Sequence, residues 1–329
     1  EQPFRAIDGR FRTTDARTLW AGLFAMLSLA ILGGLAQMDR GWVWRFGPLA
    51  QQIFEQRLEV NPWEARCDNT PQVFSDDVFC NFGRPKTPSD SFDVAVFGDS
   101  NADHFVPLIA EYARQNGLSG RQVTQTACIG LLGVRVQGRT RTKQAECMDY
   151  QRSILAFVER NPDLRLAIIS GNWLSYHGQL SANELMFDDS DLDGADLNPE
   201  TLEYHLRRTI AFFRGRGVEV HLIAQIPYQD GLPIRCVLEG LREQHGTDHC
   251  GVDAAIARAS TEPTTSLVRR LADEMDGVTA TIPTDFMCGD TICPIMMDDV
   301  LLYRDFAHLH ASGARQLRRH FELPVLRRQ

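Results

Sequence analysis

The sequence predicts a three-layer α/β/α domain built on a parallel sheet, with one transmembrane helix ahead of it. Two patterns carry that reading. From residue 93 onward, short β-branched apolar runs alternate with amphipathic stretches of helical length. Strands separated by helices pair in parallel through crossovers. Ahead of them, residues 18–38 carry no charged side chain. That length crosses a hydrocarbon core of about 30 Å as a helix. A chain of 329 residues, 43% of them hydrophobic, has material for one large domain and its appendages.

Taken in order, Arg5, Arg10, Arg12 and Arg17 precede the apolar run, and Arg40 and Arg45 follow it. The excess of arginine ahead of the run assigns that side to the cytoplasm and the rest of the chain to the outside. A signal peptide cut after the run and a buried core helix are the competing readings, and the Arg-rich lead is long for the first. The chain opens on Glu1 and reads as part of a longer protein. Residues 39–91 read as a linker or extension. Trp42 and Trp44 suit either the bilayer interface or packing in the soluble domain.

Strands are then predicted at 94–97, 123–126, 166–169, 218–224 and 278–282, and helices at 105–115, 150–159, 199–214, 254–276 and 312–321. The 199–214 helix begins after Asn198 with Pro199 in its first turn and stops against Gly215 and Gly217. The 254–276 helix is expected to break near Pro263. Residues 179–197 include the run DDSDLDGAD, an acidic surface loop and a candidate binding lid.

Eight cysteines fall at 67 and 80, 128 and 147, 236 and 250, and 288 and 293. Pairing neighbours gives Cys67–Cys80, Cys128–Cys147, Cys236–Cys250 and Cys288–Cys293, a pattern suited to an oxidising compartment. Sequence does not fix the connectivity, and free buried thiols are the alternative. Cys288-Gly-Asp-Thr-Ile-Cys293 lacks a second ligand pair at matching spacing, so no metal site is read there. A net charge of −9 without a basic cluster argues against a nucleic-acid partner.

Residues 93–102, DVAVFGDSNA, organise the rest. A buried strand, a tight turn and then a helix bring Ser100 to the carboxyl edge of the sheet. There its hydroxyl is accessible and the N–H groups of the helix start face a developing anion. A plain turn with a serine cap is the alternative, so the other strand ends decide. Ligands of open parallel sheets bind along that same edge. Past the second strand lies Ala127-Cys128-Ile129-Gly130, which offers a glycine N–H; past the third lies Ser170-Gly171-Asn172-Trp173, which offers a side-chain amide. Near the end, Asp305 and His308 stand three apart ahead of the last helix. That spacing lets the carboxylate hold Nδ1–H while Nε2 takes a proton from a serine. His310 is the competing base; its spacing from Asp305 is wrong, and it reads as a helix-start or surface residue.

Blocks in this order resemble the SGNH (GDSL-like) hydrolase family over residues 91–322, with Ser100, Gly130, Asn172 and His308 as its four signature residues. The resemblance implies a flavodoxin-like three-layer fold, a Ser100–His308–Asp305 triad, and an oxyanion hole of Ser100, Gly130 and Asn172. The Gly-x-Ser-x-Gly elbow of lipases is a poorer match. Glu1-Gln2-Pro3-Phe4-Arg5, the cysteine pair after the second strand and the CxxxxCP stretch at 288–294 are similar to a branch of the acyltransferase-3 proteins. In that branch an added transmembrane helix joins the membrane domain to a periplasmic SGNH domain. Asn101 stands where a histidine follows the serine there, and Gly171-Asn172-Trp173 replaces an Arg-Trp pairing.

This second resemblance implies an O-acetyltransferase of cell-surface polysaccharide, such as lipopolysaccharide O-antigen, in a bacterial inner membrane. Residues 1–17 become the cytoplasmic end of the acyltransferase-3 domain, 18–38 the transmembrane helix, 39–91 a periplasmic linker and 92–329 the SGNH domain. The implied partners are the membrane, the upstream acyltransferase-3 domain, and a surface polysaccharide or lipid-linked glycan as substrate. No cofactor is expected in this domain; the acetyl donor derives from acetyl-CoA through the membrane domain. Two other functions share the sequence: a glycan O-acetyl esterase with the same residues, and a non-catalytic membrane-tethered glycan-binding domain in which Ser100 is dispensable.

Overall fold

The computed structural model describes residues 16–39, 41–68, 78–87, 91–177, 180–182, 201–231, 233–243, 245–324 and 326. Residues 1–15, the bulk of the acidic loop and Pro199 lie outside the described residues. The chain divides into two compact units, Glu1–Phe54 and Glu55–Gln329.

In the first unit, α1 (Ala16–Met38) is uninterrupted, and its segment Thr18–Met38 is long and apolar enough to cross a membrane. Trp20, Phe24, Met26, Leu29 and Leu35 are all exposed along it. A helix apolar on every side satisfies its own backbone but leaves its side chains to find apolar surroundings.

The second unit is built on a six-stranded sheet: β1 (Asn81–Gly83), β2 (Val94–Gly98), β3 (Ser119–Thr124), β4 (Leu166–Ser170), β5 (Glu219–Ile223) and β6 (Val278–Thr281). Their spatial order is β1-β3-β2-β4-β5-β6. All neighbours run parallel except β1, which pairs antiparallel with β3. Around them lie α2 (Val106–Gln115), α3 (Arg141–Arg160), α4 (Leu202–Arg214), α5 (Ala254–Glu274) and α6 (Ala311–Leu317).

Every residue of β2 and β4 is buried, which explains their unbroken apolar runs. Ala95 and Phe97, with Ala167, Ile169, Val220 and Leu222, share one core cluster with Ile154 and Phe157 of α3, Leu206 and Phe213 of α4, and Val268 and Leu271 of α5. On the other side α2 packs on α6, β1 and β3. Helices thus cover both faces of the sheet in three layers. From β2 the chain passes to β3 on one side, then returns to β4 on the other. The carboxyl end of β2 is therefore the switch point where such sheets open a crevice.

Several sequence readings change, among them that β3 runs Ser119–Thr124 rather than 123–126. Residues 55–68 and 78–87, read as linker, belong to the same compact unit as the sheet, and β1 lies within them. The helix expected to break at Pro263 runs through it. Finally, α4 is capped by the Thr201 hydroxyl, which accepts from the Tyr204 N–H, rather than starting after Asn198.

Each cysteine pair is joined: Cys67 to Cys80, Cys128 to Cys147, Cys236 to Cys250 and Cys288 to Cys293.

Candidate active site

Gly98 ends β2 with φ +145°, and a Cβ there would sit 1.8 Å from the Ser170 carbonyl oxygen. Only glycine fits both the dihedral and the gap. The chain then turns sharply, and Asp99 caps the short helix Ser100–Asp103 by accepting from the Asn101 N–H at 2.8 Å. Ser100 is left half-buried at the first helical position, where its own N–H has no intrahelical acceptor.

Nε2 of His308 lies 2.9 Å from Ser100 Oγ. On the other side of the ring, Nδ1 lies 2.9 and 3.0 Å from the two carboxylate oxygens of Asp305. Asp305 Oδ1 also accepts from the N–H groups of Ala307 and His308, both at 2.9 Å. Burial alone raises the Asp305 pKa. The His308 ring, the Ala307 N–H and the charges of His308 and Arg304 overcome that and hold it at about 2. The carboxylate is thus ionised throughout the physiological range, oriented by backbone and aimed at the imidazole.

The residues expected to join Ser100 in an oxyanion hole sit past the neighbouring strand ends. In the parallel register Gly98 faces Thr124 on one side and Ser170 on the other, so the loops after β2, β3 and β4 leave from one level. Gly130 packs so closely on β2 that a Cβ would lie 2.6 Å from the Gly98 nitrogen. Asn172 Oδ1 accepts from the Ser175 N–H at 3.3 Å and from the Tyr228 hydroxyl. With the oxygen engaged, Nδ2 is the half of the amide left to donate. Ser100 N–H, Gly130 N–H and Asn172 Nδ2 have the makings of an oxyanion hole.

Several residues that support this arrangement went unread in the sequence. Asp99 is 2% exposed; its second oxygen accepts from the Asn172 N–H at 3.0 Å and from the Tyr176 hydroxyl at 2.8 Å. Burial raises its pKa, against those bonds. Tyr150 accepts from the Gly98 N–H at 2.9 Å and places its hydroxyl 2.7 Å from the Val123 carbonyl, locking the ends of β2 and β3 together. His104 is buried edge-on to the His308 ring, 5.9 Å between centroids. Burial, followed by the charges of His308 and Arg304, lowers its pKa well below the ordinary value. Asn101 turns inward and accepts from Gln225 at 3.1 Å, the use this chain makes of the position after the serine.

His310 starts α6 as expected, but it is no surface residue. It is fully buried, with Nδ1 3.1 Å from the Glu59 carbonyl and its pKa lowered by burial. For metal chemistry, Cys236, His249 and Cys250 bring ligand atoms within 4.8 Å of one another. Their two sulfurs are bonded to each other, which removes both as thiolate ligands.

The family model for the SGNH domain fused to AT3 (acyltransferase-3) domains matches residues 66–323. This chain belongs to that SGNH family. Among solved structures, it is similar to the lipopolysaccharide acetyltransferase periplasmic domain of Salmonella ser. Paratyphi A. The TM-score is 0.53 and the identity 12%, over 86% of this chain and 91% of that one. At that identity the likeness shows a shared SGNH fold. No curated protein matches the chain in sequence.

Proposed function

We propose that this chain is the acetyl-transferring SGNH part of a polysaccharide O-acetyltransferase, anchored by α1 in the bacterial inner membrane with residues 39–329 in the periplasm. The observation that carries it is the hydrogen-bonded series Ser100–His308–Asp305 at the sheet's switch point, in a family fused to AT3 domains. The four disulfides and the apolar helix support the compartment and the anchor. The similar Salmonella structure, a lipopolysaccharide acetyltransferase periplasmic domain, supports the compartment. The acetyl donor is derived from acetyl-CoA and reaches this domain through the upstream AT3 domain.

Ser100 Oγ attacks the acetyl carbonyl while His308 Nε2 takes the hydroxyl proton. The tetrahedral oxyanion is held by Ser100 N–H, Gly130 N–H and the Asn172 amide. Its collapse leaves acetyl-Ser100, and the leaving group departs with the proton from His308. A glycan hydroxyl then gives its proton to His308 and attacks the ester, returning Ser100 to its starting form. Asp305 holds the imidazole tautomer throughout and stays ionised.

Ser100→Ala in the full chain is the test. Glycan acetylation in cells and hydrolysis of p-nitrophenyl acetate should both be lost, with kcat down by about 10⁶ for loss of a nucleophile. Full acetylation by that variant overturns the proposal. If the active wild type releases only free acetate when offered glycan, water is its acceptor and it is an esterase.

A further inference from the structure

The loop that carries the base also exposes an aromatic ring the triad does not use. Phe306 lies between Asp305 and His308 in sequence, yet 53% of it is open to solvent. A lone exposed apolar side chain is ordinary; this one is set apart by what it touches. Its ring packs edge-on against Tyr228, 5.9 Å between centroids at 77°. Tyr228 in turn donates its hydroxyl hydrogen to Asn172 Oδ1. The two rings link the loop of the base to the amide of the oxyanion hole.

Both are fixed from behind. The Phe306 carbonyl accepts from the Gln229 N–H at 2.8 Å. The fully buried Tyr303 donates its hydroxyl to the Pro227 carbonyl at 3.0 Å. The Gln229 side chain donates to the Cys293 carbonyl at 3.3 Å and accepts from the Val252 N–H at 3.0 Å. A rigid aromatic surface beside the reacting groups spends little entropy when a ligand settles on it.

We propose that Phe306, backed by Tyr228, is the acceptor platform, stacking on the C–H face of a pyranose ring so that a ring hydroxyl meets His308 Nε2. The proposal rests on the acetyl-transfer reading above and names the acceptor class. A pyranose presents an apolar face of C–H bonds with a rim of hydroxyls. A flat exposed ring covers that face without claiming the hydroxyls, which stay available for deprotonation. The acetyl group is small and occupies Ser100, so it does not account for a ring on the base's loop. Acetyl-Ser100 is open to water as well as sugar; holding the sugar in place makes its attack effectively unimolecular and favours transfer over hydrolysis.

The test uses the full chain in detergent, p-nitrophenyl acetate as donor, and equal concentrations of methyl α-glucopyranoside and sorbitol as competing acceptors. Sorbitol offers the same kind of hydroxyl without a ring face. Wild type should acetylate the pyranoside in preference. Phe306→Ala and Phe306→Leu should lower the pyranoside-to-sorbitol ratio by about tenfold, the scale of one aromatic contact, and Phe306→Trp should retain it. An unchanged ratio in the alanine variant, or a leucine variant as selective as tryptophan, overturns the platform alone. A wild type that yields only free acetate overturns the transfer reading and the platform with it.

Discussion

Asn172 shows how one residue is given a single task. Its oxygen is occupied by the Ser175 N–H and the Tyr228 hydroxyl, and its own N–H is held by Asp99, so both amide and backbone are fixed before substrate arrives. A donor so preset acts mainly on charge that develops in the transition state. Asn172→Ala should therefore lower kcat by about 10²–10³ with little change in KM, read by steady-state hydrolysis of p-nitrophenyl acetate. Asp305→Asn should cost about 10⁴ in kcat, less than the loss of Ser100, because nucleophile and base remain. The series Ser100–His308–Asp305 could be proposed from sequence because Ser100 follows a strand end and Asp305 stands three residues from His308. Tyr150, Tyr176 and Tyr228 could not, since their bonds to Gly98, Asp99 and Asn172 span 52, 77 and 56 residues. No local pattern marks such partners.

At the scale of elements, the Cys128–Cys147 bond fastens the loop after β3 onto α3, with Gly130 two residues beyond it. Ala127, just ahead, sits at φ +59°, a left-handed conformation that costs a non-glycine residue. The Cys128 N–H closes this turn on the Gln125 carbonyl at 2.9 Å, and the disulfide ties its end to α3. Replacing both cysteines by alanine should cost about 3 kcal/mol for a loop of this length. It should also lower kcat in proportion to the freedom gained by Gly130. Chemical denaturation and ester hydrolysis on the same sample measure the two effects. Strands β2 and β4 were readable because burial on both faces makes them nearly continuously apolar. Strand β3, expected at 123–126, instead runs Ser119–Thr124, because most of its buried side chains are polar and give no apolar run. The start of α3 was not readable either. It begins at Arg141, nine residues ahead of the predicted 150, because its first turns are polar and are announced only by the Thr140 hydroxyl accepting from the Lys143 N–H. A three-residue edge strand such as β1 carries too little pattern to be seen at all.

At the scale of the whole second unit, a buried polar network ties residues 55–68 to the sheet behind the nucleophile. Asp103, 3% exposed and closing the Ser100 helix, accepts from Asn61 Nδ2 at 2.6 Å and from Gln122 Nε2 at 2.7 Å. Asn61 precedes the sheet in sequence and Gln122 lies in β3, so three separate stretches of chain meet on one carboxyl oxygen. Burial, then the neighbouring charge of Asp68, pushes the Asp103 pKa up to about 7, against the pull of those two amides. In the unfolded chain the same carboxyl titrates near 3.9. The folded state therefore binds the proton more tightly, and between about pH 4 and about pH 7 this group removes stability as pH rises. Asp103→Asn keeps an acceptor oxygen for Asn61 and Gln122 and has no proton to lose. The variant should gain in melting temperature relative to wild type as pH rises through that window, and the difference should level off above about pH 7. Calorimetry of the wild-type and variant chains from pH 4.5 to 8 reads the effect. Parallel curves across that range would show that Asp103 titrates in the folded protein as it does in the unfolded chain.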